Sequence, residues 1–572
     1  MKKFVLLLLI SSVTMAYATD TTKLSPDLQK STAPTARVVV QYNQPPSLLD
    51  LQLLSSLGSL LNALPLVNAV VADLSPSNVL SLSNQANVKY MSLDRPLAPT
   101  LSNAAPAVNA FAAWQSGYTG KGIGVALVDS GVSSSPDLNG GFLGLSRVVW
   151  SQSFVTGNAS AGDQYGHGTH VAGLIAGNGA SSTGSQYSRT FEGIAPQANL
   201  INLRVLDQNG AGSDSAVISA ISTAIALKPL FNIRVINLSL GRAVYESYKL
   251  DPLCQAVEAA WNSGIVVVVA AGNYGRLSVN NSNGYGAITA PGNDPYVITV
   301  GATKSGGSAL PAAETIASYS SKGPTTYDHV VKPDIMAPGN DVVSLSAPGA
   351  TLETSYPSAL VTGTDGNNDY FTLSGTSMAT PVVAGAAALL LQENNALTPD
   401  QVKARLMKTA YKMGFTSTSA WVPHLFMSFL SYYDIFSEGS GLLNVQSAIN
   451  NNDLAPATVG SALSPYVVYN PMNHTITMVQ GNGNVATTSV VWGSSVVWGS
   501  SVVWGASVVW GSSVNGTSVV WGSSLPWNDN TLNAFSVVWG ASTGSTSATS
   551  VVWGASDLNG TQAFNSAGDD EQ

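Results

Sequence analysis

The chain has 572 residues, 45% of them hydrophobic, which is enough apolar material for a large core and more than one domain. Only 10% are charged, and 32 acidic residues against 23 basic ones give a formal charge of −9, which argues against a nucleic-acid partner. The single cysteine, Cys254, excludes an internal disulfide framework.

The first 18 residues have the pattern of a secretory signal peptide. Lys2 and Lys3 precede an apolar run, and the small-residue sequence Ala16-Tyr17-Ala18 follows it. The alternative, an N-terminal membrane anchor, needs about 20 apolar residues, whereas serines interrupt this run. We therefore predict cleavage after Ala18 and a secreted, extracellular protein.

Residues 19–103 are predicted to form a small α+β unit that ends in an extended, proline-containing linker. Short apolar runs predict its strands, and leucine spacing predicts its first helix. Ser75 is a suitable N-cap for a second helix that begins at Pro76. The expected strands are 37–41, 66–73 and 88–91, the first helix is 49–64, and the linker is 95–99.

Between residues 104 and 450, continuous apolar strands alternate with helices. Strands of this kind are typical of a parallel sheet that is buried on both faces. We therefore predict an α/β domain with a doubly wound, mostly parallel sheet flanked by helices. The expected strands are 124–129, 199–206, 235–238 and 265–271, and the expected helices are 167–177, 213–227 and one that ends at Trp261.

Residues 451–572 form a low-complexity tail in which the pentapeptide Ser-Val-Val-Trp-Gly recurs, and no lysine or arginine follows Lys412. Alternation within each copy predicts a short strand, and regular spacing allows such strands to stack. Two functions stay open: attachment to a cell surface or a glycan, or a poorly ordered spacer removed during maturation. The repeated tryptophans are Trp492, Trp498, Trp504, Trp510, Trp521, Trp539 and Trp553.

Three glycine-rich segments carry an acid, a base and a hydroxyl group. Asp129 ends a predicted strand, His167 lies in Gly-His-Gly-Thr-His, and Ser377 lies in Ser-Gly-Thr-Ser-Met-Ala. Each residue alone has another explanation. Asp129 could cap a turn, His167 and His170 could be structural or bind a metal ion, and the segment around Ser377 could simply start a helix. Together they favour nucleophilic catalysis, because an imidazole takes the proton of the serine and a carboxylate orients the imidazole.

In the order Asp129, His167, Ser377, these motifs resemble those of the subtilisin-like serine peptidases, the subtilase family, over residues 37–450. The resemblance implies that the three residues are the triad acid, the general base and the nucleophile, and that His170 is structural. The related sedolisins use a glutamate in place of this histidine, so the sequence around His167 argues against them. The family's chemistry needs no cofactor. Structural calcium is compatible with the resemblance, but the sequence identifies no ligands.

By the same resemblance, the amide of Asn273 is the side-chain donor of an oxyanion hole, together with the backbone N–H of Ser377. Substrate peptides are expected to add as a strand to two edge segments. Thr289 is expected at the floor of the main specificity pocket, where no charged residue is evident, and Asp214 near an outer pocket. The edge segments are Gly210, Ala211 and Gly212, and Ser239, Leu240 and Gly241.

Residues 19–103 resemble the family's ferredoxin-like inhibitory propeptide, whose C-terminal end occupies the active-site cleft. The chain is therefore expected to be a secreted endopeptidase that is made as a self-processed precursor. Proteins and peptides are its expected substrates, and its own propeptide is its intramolecular inhibitor. Because every expected site residue precedes residue 450, truncation there is expected to leave peptide hydrolysis nearly unchanged.

Two other functions fit parts of the sequence. The glycines Gly120, Gly122 and Gly124 suggest a dinucleotide-binding oxidoreductase, but that fingerprint should follow a strand, and here it precedes one. The tryptophan repeats would also suit a catalytically silent surface-attachment protein built on a peptidase scaffold. Peptide hydrolysis by the purified protein separates this second alternative from an enzyme.

Overall fold

The computed structural model describes most of the chain up to residue 479 and four short strands beyond it. The chain divides into two units, Met1–Pro99 and Thr100–Gln572. The predicted signal peptide, the linker at 95–99 and most of the tryptophan repeats lie outside the described residues. The described residues are 20–29, 31, 33–65, 68–93, 104–140, 144–276, 284–305, 311–413, 415, 417–470, 475–479, 509–510, 519–520, 525–526 and 561–563.

The N-terminal unit is a four-stranded antiparallel sheet with two main helices. In chain order its elements are α1 (Pro26–Gln29), β1 (Ala36–Tyr42), α2 (Leu48–Leu57), β2 (Gly58–Leu64), β3 (Ala69–Leu74), α3 (Pro76–Ser83) and β4 (Val88–Leu93). The strand order is β2-β3-β1-β4, with β1 and β3 in register from Ala36↔Leu74 to Gln41↔Ala69. From β1 to β4 the chain thus follows the βαββαβ order of ferredoxin-like folds.

The leucine-rich segment of this unit differs from its predicted structure. The helix expected through residue 64 ends at Leu57, and the chain continues as β2, paired with β3. At Gly58 a Cβ atom would lie 2.3 Å from the carbonyl oxygen of Asp73, so a glycine is required where the strand begins. The second helix is as predicted, because the Ser75 hydroxyl accepts a hydrogen bond from the backbone N–H of Asn78.

The second unit is built around an eight-stranded, mostly parallel sheet. Its strands and the short strands between them are β5 (Gly124–Asp129), β6 (Val148–Ser153), β7 (Asn199–Arg204), β8 (Ala211–Gly212), β9 (Ile233–Leu238), β10 (Leu240–Gly241), β11 (Val266–Ala270), β12 (Ile298–Ser305), β13 (Glu314–Ile316) and β14 (Ile335–Pro338). The order is β13-β12-β11-β9-β5-β7-β6, and β14 also pairs with β12. Only the β12–β13 pair is antiparallel.

Two layers of helices flank this sheet, as predicted for a doubly wound domain. One layer pairs α6 (His167–Ala176) with α10 (Thr376–Glu393), and the other pairs α7 (Asp214–Phe231) with α8 (Pro252–Asn262). Helix α7 has the length and composition of a membrane span, but its buried side chains pack toward β5 and β9. The remaining helices are α4 (Ala104–Ala107), α5 (Ala110–Gln115), α9 (Thr351–Ser355), α11 (Pro399–Thr409) and α12 (Val445–Ile449).

Smaller sheets complete this unit. The strands Ser417–Val422 and Met427–Tyr432 form a hairpin. The strands Val509–Trp510 and Val519–Val520 are parts of two Ser-Val-Val-Trp-Gly copies and pair antiparallel, with Val509 opposite Val520. The strands are β15 (Val342–Leu345), β16 (Leu360–Val361), β17 (Tyr370–Leu373), β18 (Ser417–Val422), β19 (Met427–Tyr432), β20 (Tyr466–Asn470), β21 (Thr475–Val479), β22 (Val509–Trp510), β23 (Val519–Val520), β24 (Leu525–Pro526) and β25 (Thr561–Ala563).

The folded part of this unit continues beyond residue 450, where the composition changes. The hydroxyl of Ser464 donates to the buried carboxylate of Asp334 at 2.5 Å and accepts from the ammonium of Lys403 at 2.9 Å. Lys332 also donates to Asp334, at 2.6 Å. Truncation at residue 450 would remove Ser464 from this charged cluster, so we expect it to lower the stability of the fold, while its effect on peptide hydrolysis stays a prediction.

Candidate active site

Three of the expected site residues lie at one edge of the central sheet. Asp129 is the last residue of β5, Ser239 directly follows β9, and Asn273 follows β11 by three residues. The strands β5, β9 and β11 are parallel neighbours, so their carboxyl ends meet at the same edge. This is the edge at which open α/β sheets place their ligand sites.

His167 and Asp129 form the acid–base half of the site. His167 begins α6, and its Nδ1 atom lies 2.7 Å from Oδ1 of Asp129, with both side chains fully buried. An ionised carboxylate can only accept, so Nδ1 carries the proton and Nε2 has a free lone pair. Nε2 has no hydrogen-bond partner among the described residues, which leaves it available as a base.

Ser377 is the second residue of α10 and is bound to the segment that follows β9. Its hydroxyl donates to the carbonyl oxygen of Ser239 at 3.0 Å, and the hydroxyl of Ser239 donates to the carbonyl oxygen of Ser377 at 2.8 Å. The serine therefore bonds to the backbone and not to His167 in this structure. For Ser377 to act as the expected nucleophile, its hydroxyl would have to turn toward Nε2 of His167.

Asn273 carries an uncommitted donor. Its Oδ1 atom accepts from the backbone N–H and the hydroxyl of Thr376, while its buried Nδ2 atom has no hydrogen-bond partner among the described residues. Leaving a buried donor unpaired costs about 1–3 kcal/mol. Helix α10 begins at Thr376, so the partial positive charge of its N-terminus is beside this amide. The arrangement suits an anionic oxygen that forms only during a reaction.

Asp163 lies beside His167 and Asp129 at a position that no sequence motif marks. Its buried carboxylate accepts five hydrogen bonds, two of them from backbone N–H groups just before His167. A third comes from the hydroxyl of Ser130, next to Asp129, and two come from Thr169. Burial raises the pKa of Asp163, and these hydrogen bonds oppose the increase. The carboxylate thereby connects the end of β5 with the start of α6.

The two expected edge segments both flank the site. The carbonyl oxygen of Ser239 accepts a hydrogen bond from the hydroxyl of Ser377, and Leu240 and Gly241 form β10. On the other side, Ala211 and Gly212 form β8, preceded by Gly210. At Gly210, which has a φ of 73°, a Cβ atom would lie 2.6 Å from the ring of Tyr165, so the turn requires glycine.

The expected specificity residues have uncharged or neutralised surroundings. Thr289 is buried, and its hydroxyl donates to the carbonyl oxygen of Ala271 at 3.3 Å, two residues before Asn273. Asp214, placed near the outer pocket, is paired with Arg242 at 2.9 Å, and Arg242 also binds Asp251 at 2.8 Å. Arg242 directly follows β10 and belongs to no motif that marks it in the sequence.

His170 has a structural environment. Its Nε2 atom lies 3.0 Å from the carbonyl oxygens of Val342 and Phe371, in β15 and β17. Burial lowers its pKa to about 3, so the neutral ring donates a shared hydrogen bond that joins the two strands to α6. Among the described residues no group of three or more His, Cys, Asp or Glu side chains is placed to hold a metal ion. We therefore assign no calcium ligands.

A doubly wound sheet with a buried Asp–His pair, a serine at the start of a helix and an amide donor that has no partner among the described residues is typical of serine hydrolases that use a catalytic triad. Residues 120–494 match the model of the subtilase family, peptidase S8. The chain therefore belongs to the subtilase family, and it is a serine endopeptidase. This result favours the enzyme over the oxidoreductase and over the silent scaffold.

Two proteins from Bacillus species share much of this sequence. Serine protease AprX of Bacillus subtilis (strain 168) is 40% identical over 348 residues, which span 59% of this chain and 73% of the relative. Subtilisin DY of Bacillus licheniformis is 35% identical over 352 residues, spanning 61% of this chain and 99% of the relative. The crystal structure of a cold adapted subtilisin-like serine proteinase is 30% identical, with a TM-score of 0.38, and covers 57% of this chain and 88% of that protein.

Proposed function

We propose that this chain is a secreted endopeptidase that cleaves proteins through an acyl-enzyme on Ser377 and is made as a self-processed precursor. The observation that carries the catalytic part is the 2.7 Å contact between His167 and Asp129, with Nε2 of His167 unpaired among the described residues. This contact fixes the tautomer in which the imidazole accepts a proton from a serine.

The reaction follows from these groups. Nε2 of His167 takes the hydroxyl proton as Oγ of Ser377 attacks the peptide carbonyl carbon, and Asp129 stabilises the resulting imidazolium. The oxyanion accepts hydrogen bonds from Nδ2 of Asn273 and the backbone N–H of Ser377. His167 then protonates the leaving amine, and water hydrolyses the ester by the same proton transfers in reverse. Side chains and backbone fill every role, so the chemistry needs no cofactor.

Substrate recognition would use the main chain of the two edge segments. A peptide that lies between β8 and β10 adds a strand to both and leaves its side chains for the pockets. The buried, uncharged Thr289 favours an uncharged side chain before the scissile bond. The pairing of Asp214 with Arg242 removes a free negative charge from the outer pocket.

The precursor part rests on the N-terminal residues. The ferredoxin-like unit resembles the inhibitory propeptides of subtilases, and the signal-like segment before it supports secretion. Attachment to a surface or glycan through the tryptophan repeats stays a prediction, because most copies lie outside the described residues.

A fluorophosphonate probe, which reacts with activated serines, tests the catalytic part. Wild type should be labelled and should hydrolyse a peptide substrate, whereas Ser377→Ala should do neither. Ser346→Ala is the matched control, because its buried hydroxyl has no hydrogen-bond partner among the described residues, and it should behave like wild type. Labelling of Ser377→Ala at the wild-type rate would show that another residue is the nucleophile.

A further inference from the structure

The C-terminal segment β25 lies between the two edge segments of the active site. In a three-stranded sheet of order β10-β25-β8, Ala563 is opposite Leu240 and Gln562 is opposite Gly241. On its other side, Thr561 is opposite Gly212 and Gln562 is opposite Ala211. Both pairings are antiparallel, so Gln562 is bracketed by the two edges at once.

This position is the one that a substrate peptide needs. Strand addition uses the exposed backbone groups of β8 and β10, and a groove between two edges has room for one central strand. A chain that pairs with both edges through Gln562 therefore uses the backbone groups required by an incoming peptide. Binding of the tail and binding of a peptide in this groove exclude each other.

The direction of the tail also matches that of a substrate. As the residue number rises from Gln562 to Ala563, the opposite residue falls from Gly241 to Leu240. The next residue on that edge is Ser239, whose carbonyl oxygen accepts the hydroxyl of Ser377. The segment thus runs toward the nucleophile in the direction expected for the acyl side of a peptide.

The composition of the segment is compatible with the groove. Thr561, Gln562 and Ala563 carry no charge, while acidic residues occur at Asp557 before them and at Asp569 after them. An uncharged segment suits edges formed by Ala211, Gly212, Leu240 and Gly241. The part of the C-terminal segment that lies in the groove is therefore uncharged.

We propose that the segment Thr561–Ala563 is an intramolecular, substrate-like occupant of the acyl-side groove and competes there with peptide substrates. This inference rests on the proposed function, because the groove is a substrate groove only if the chain is a peptidase. If the effective concentration of the tethered segment is about ten times its intrinsic dissociation constant, the tail raises the apparent KM about tenfold. The value of kcat should not change, because a saturating peptide displaces the tail.

The test compares four forms of the processed enzyme: the full chain, a chain that ends at Gly560, and full chains with Gln562→Pro or Ser556→Pro. Proline at 562 removes the backbone N–H and disrupts pairing, whereas proline at 556 lies before the strand and serves as the matched control. Active-site concentrations come from fluorophosphonate titration, and intact C-termini are verified by mass spectrometry. The chain ending at Gly560 and Gln562→Pro should have an apparent KM about tenfold lower, and Ser556→Pro should resemble the full chain.

A peptide of residues 557–567, added to the chain that ends at Gly560, provides an independent measurement. It should inhibit competitively or be cleaved as a substrate, and its Gln562→Pro version should bind at least fivefold more weakly. Equal KM values for all four forms, or no difference between the two peptides, would overturn the inference while leaving an active peptidase. If no form is labelled or hydrolyses peptides, the proposed function itself fails, and the tail competes for no substrate groove.

Discussion

The Oδ1 atom of Asn273 accepts two hydrogen bonds from Thr376, one from its backbone N–H and one from its hydroxyl, both at 2.9 Å. Because an amide has its oxygen and nitrogen on opposite sides, these bonds also determine where Nδ2 points. Thr376 is adjacent to Ser377, so the proposed nucleophile and the orientation of the proposed oxyanion donor depend on the same turn of α10.

Loss of the Nδ2 donor of Asn273 should slow the chemical step and have little effect on substrate binding. We expect Asn273→Ala to lower kcat by about 10²–10³ with little change in KM, as for loss of the equivalent donor in subtilisin. Thr376→Val should cause a smaller decrease, about tenfold, because it removes one of the two bonds that orient the amide, and Thr376→Ser should retain activity. Steady-state measurements of kcat and KM for the three variants test this prediction. A rise in KM alone for Asn273→Ala would contradict the proposed role of Asn273 as an oxyanion donor.

Loss of the nucleophile should also block maturation. If the triad cleaves its own linker between about Asp94 and Asn103, Ser377→Ala should accumulate as a precursor that retains residues 19–103. The control Ser346→Ala should be processed normally. N-terminal sequencing and intact mass of the secreted protein check this, and a mature N-terminus in Ser377→Ala would show that another protease does the processing.

Asp163 should act as a positioning residue for His167. We expect Asp163→Asn to reduce kcat/KM at least tenfold, because an amide nitrogen would face N–H groups that now donate to a carboxylate. The decrease should lie mainly in kcat and should be matched by slower fluorophosphonate labelling. Asp365→Asn, at an exposed position, is the control. Slower hydrolysis with unchanged labelling would argue against an effect on the triad.

Glu314 should make stability depend on pH. Burial raises its pKa to about 7, and its Oε1 atom has no hydrogen-bond partner among the described residues. Between pH 4.5 and 7 the folded protein binds more protons at Glu314 than the unfolded chain does. The contribution of Glu314 to the free energy of unfolding is therefore complete below pH 4.5 and is lost as the pH rises through 7. The difference is about 3 kcal/mol at most.

Glu314→Gln should therefore be more stable than its parent at pH 8 and show a smaller gain, or a loss, at pH 4.5. Urea unfolding of both proteins in a Ser377→Ala background, which prevents self-digestion, measures the difference. Glu246→Gln serves as a control. If the free energies of unfolding of the Glu314→Gln variant and its parent change in parallel with pH, Glu314 is ionised in the folded protein.

The buried cluster around Asp334 should make residues beyond 450 necessary for stability. Ser464→Ala leaves the carboxylate of Asp334 and the ammonium of Lys403 short of one partner each, so we expect a decrease of about 1–3 kcal/mol in the free energy of unfolding. A chain that ends at Asn450 should lose more. Denaturant unfolding in the Ser377→Ala background tests both, and unchanged stability of the shorter chain would show that the cluster does not depend on Ser464.

Local patterns in the amino-acid sequence predict the expected catalytic residues and many of the elements around them. Asp129 ends a continuous apolar strand, and Ser75 with Pro76 begins a helix, because these are local patterns of hydrophobicity and capping. The resemblance of three motifs supplied the roles of His167 and Ser377. All of this information lies within short segments of the chain.

Contacts between residues that are distant in the chain account for the features that no local pattern predicts. Gly58 begins a strand instead of continuing a helix because β3 lies beside it, and Asp163 and Arg242 acquire their roles from groups that no local pattern identifies. The segment Thr561–Ala563 has no strand signal of its own, and it is a strand only because two edges hundreds of residues away supply its hydrogen bonds. Periodicity reports which side of an element is buried, but not which element covers it.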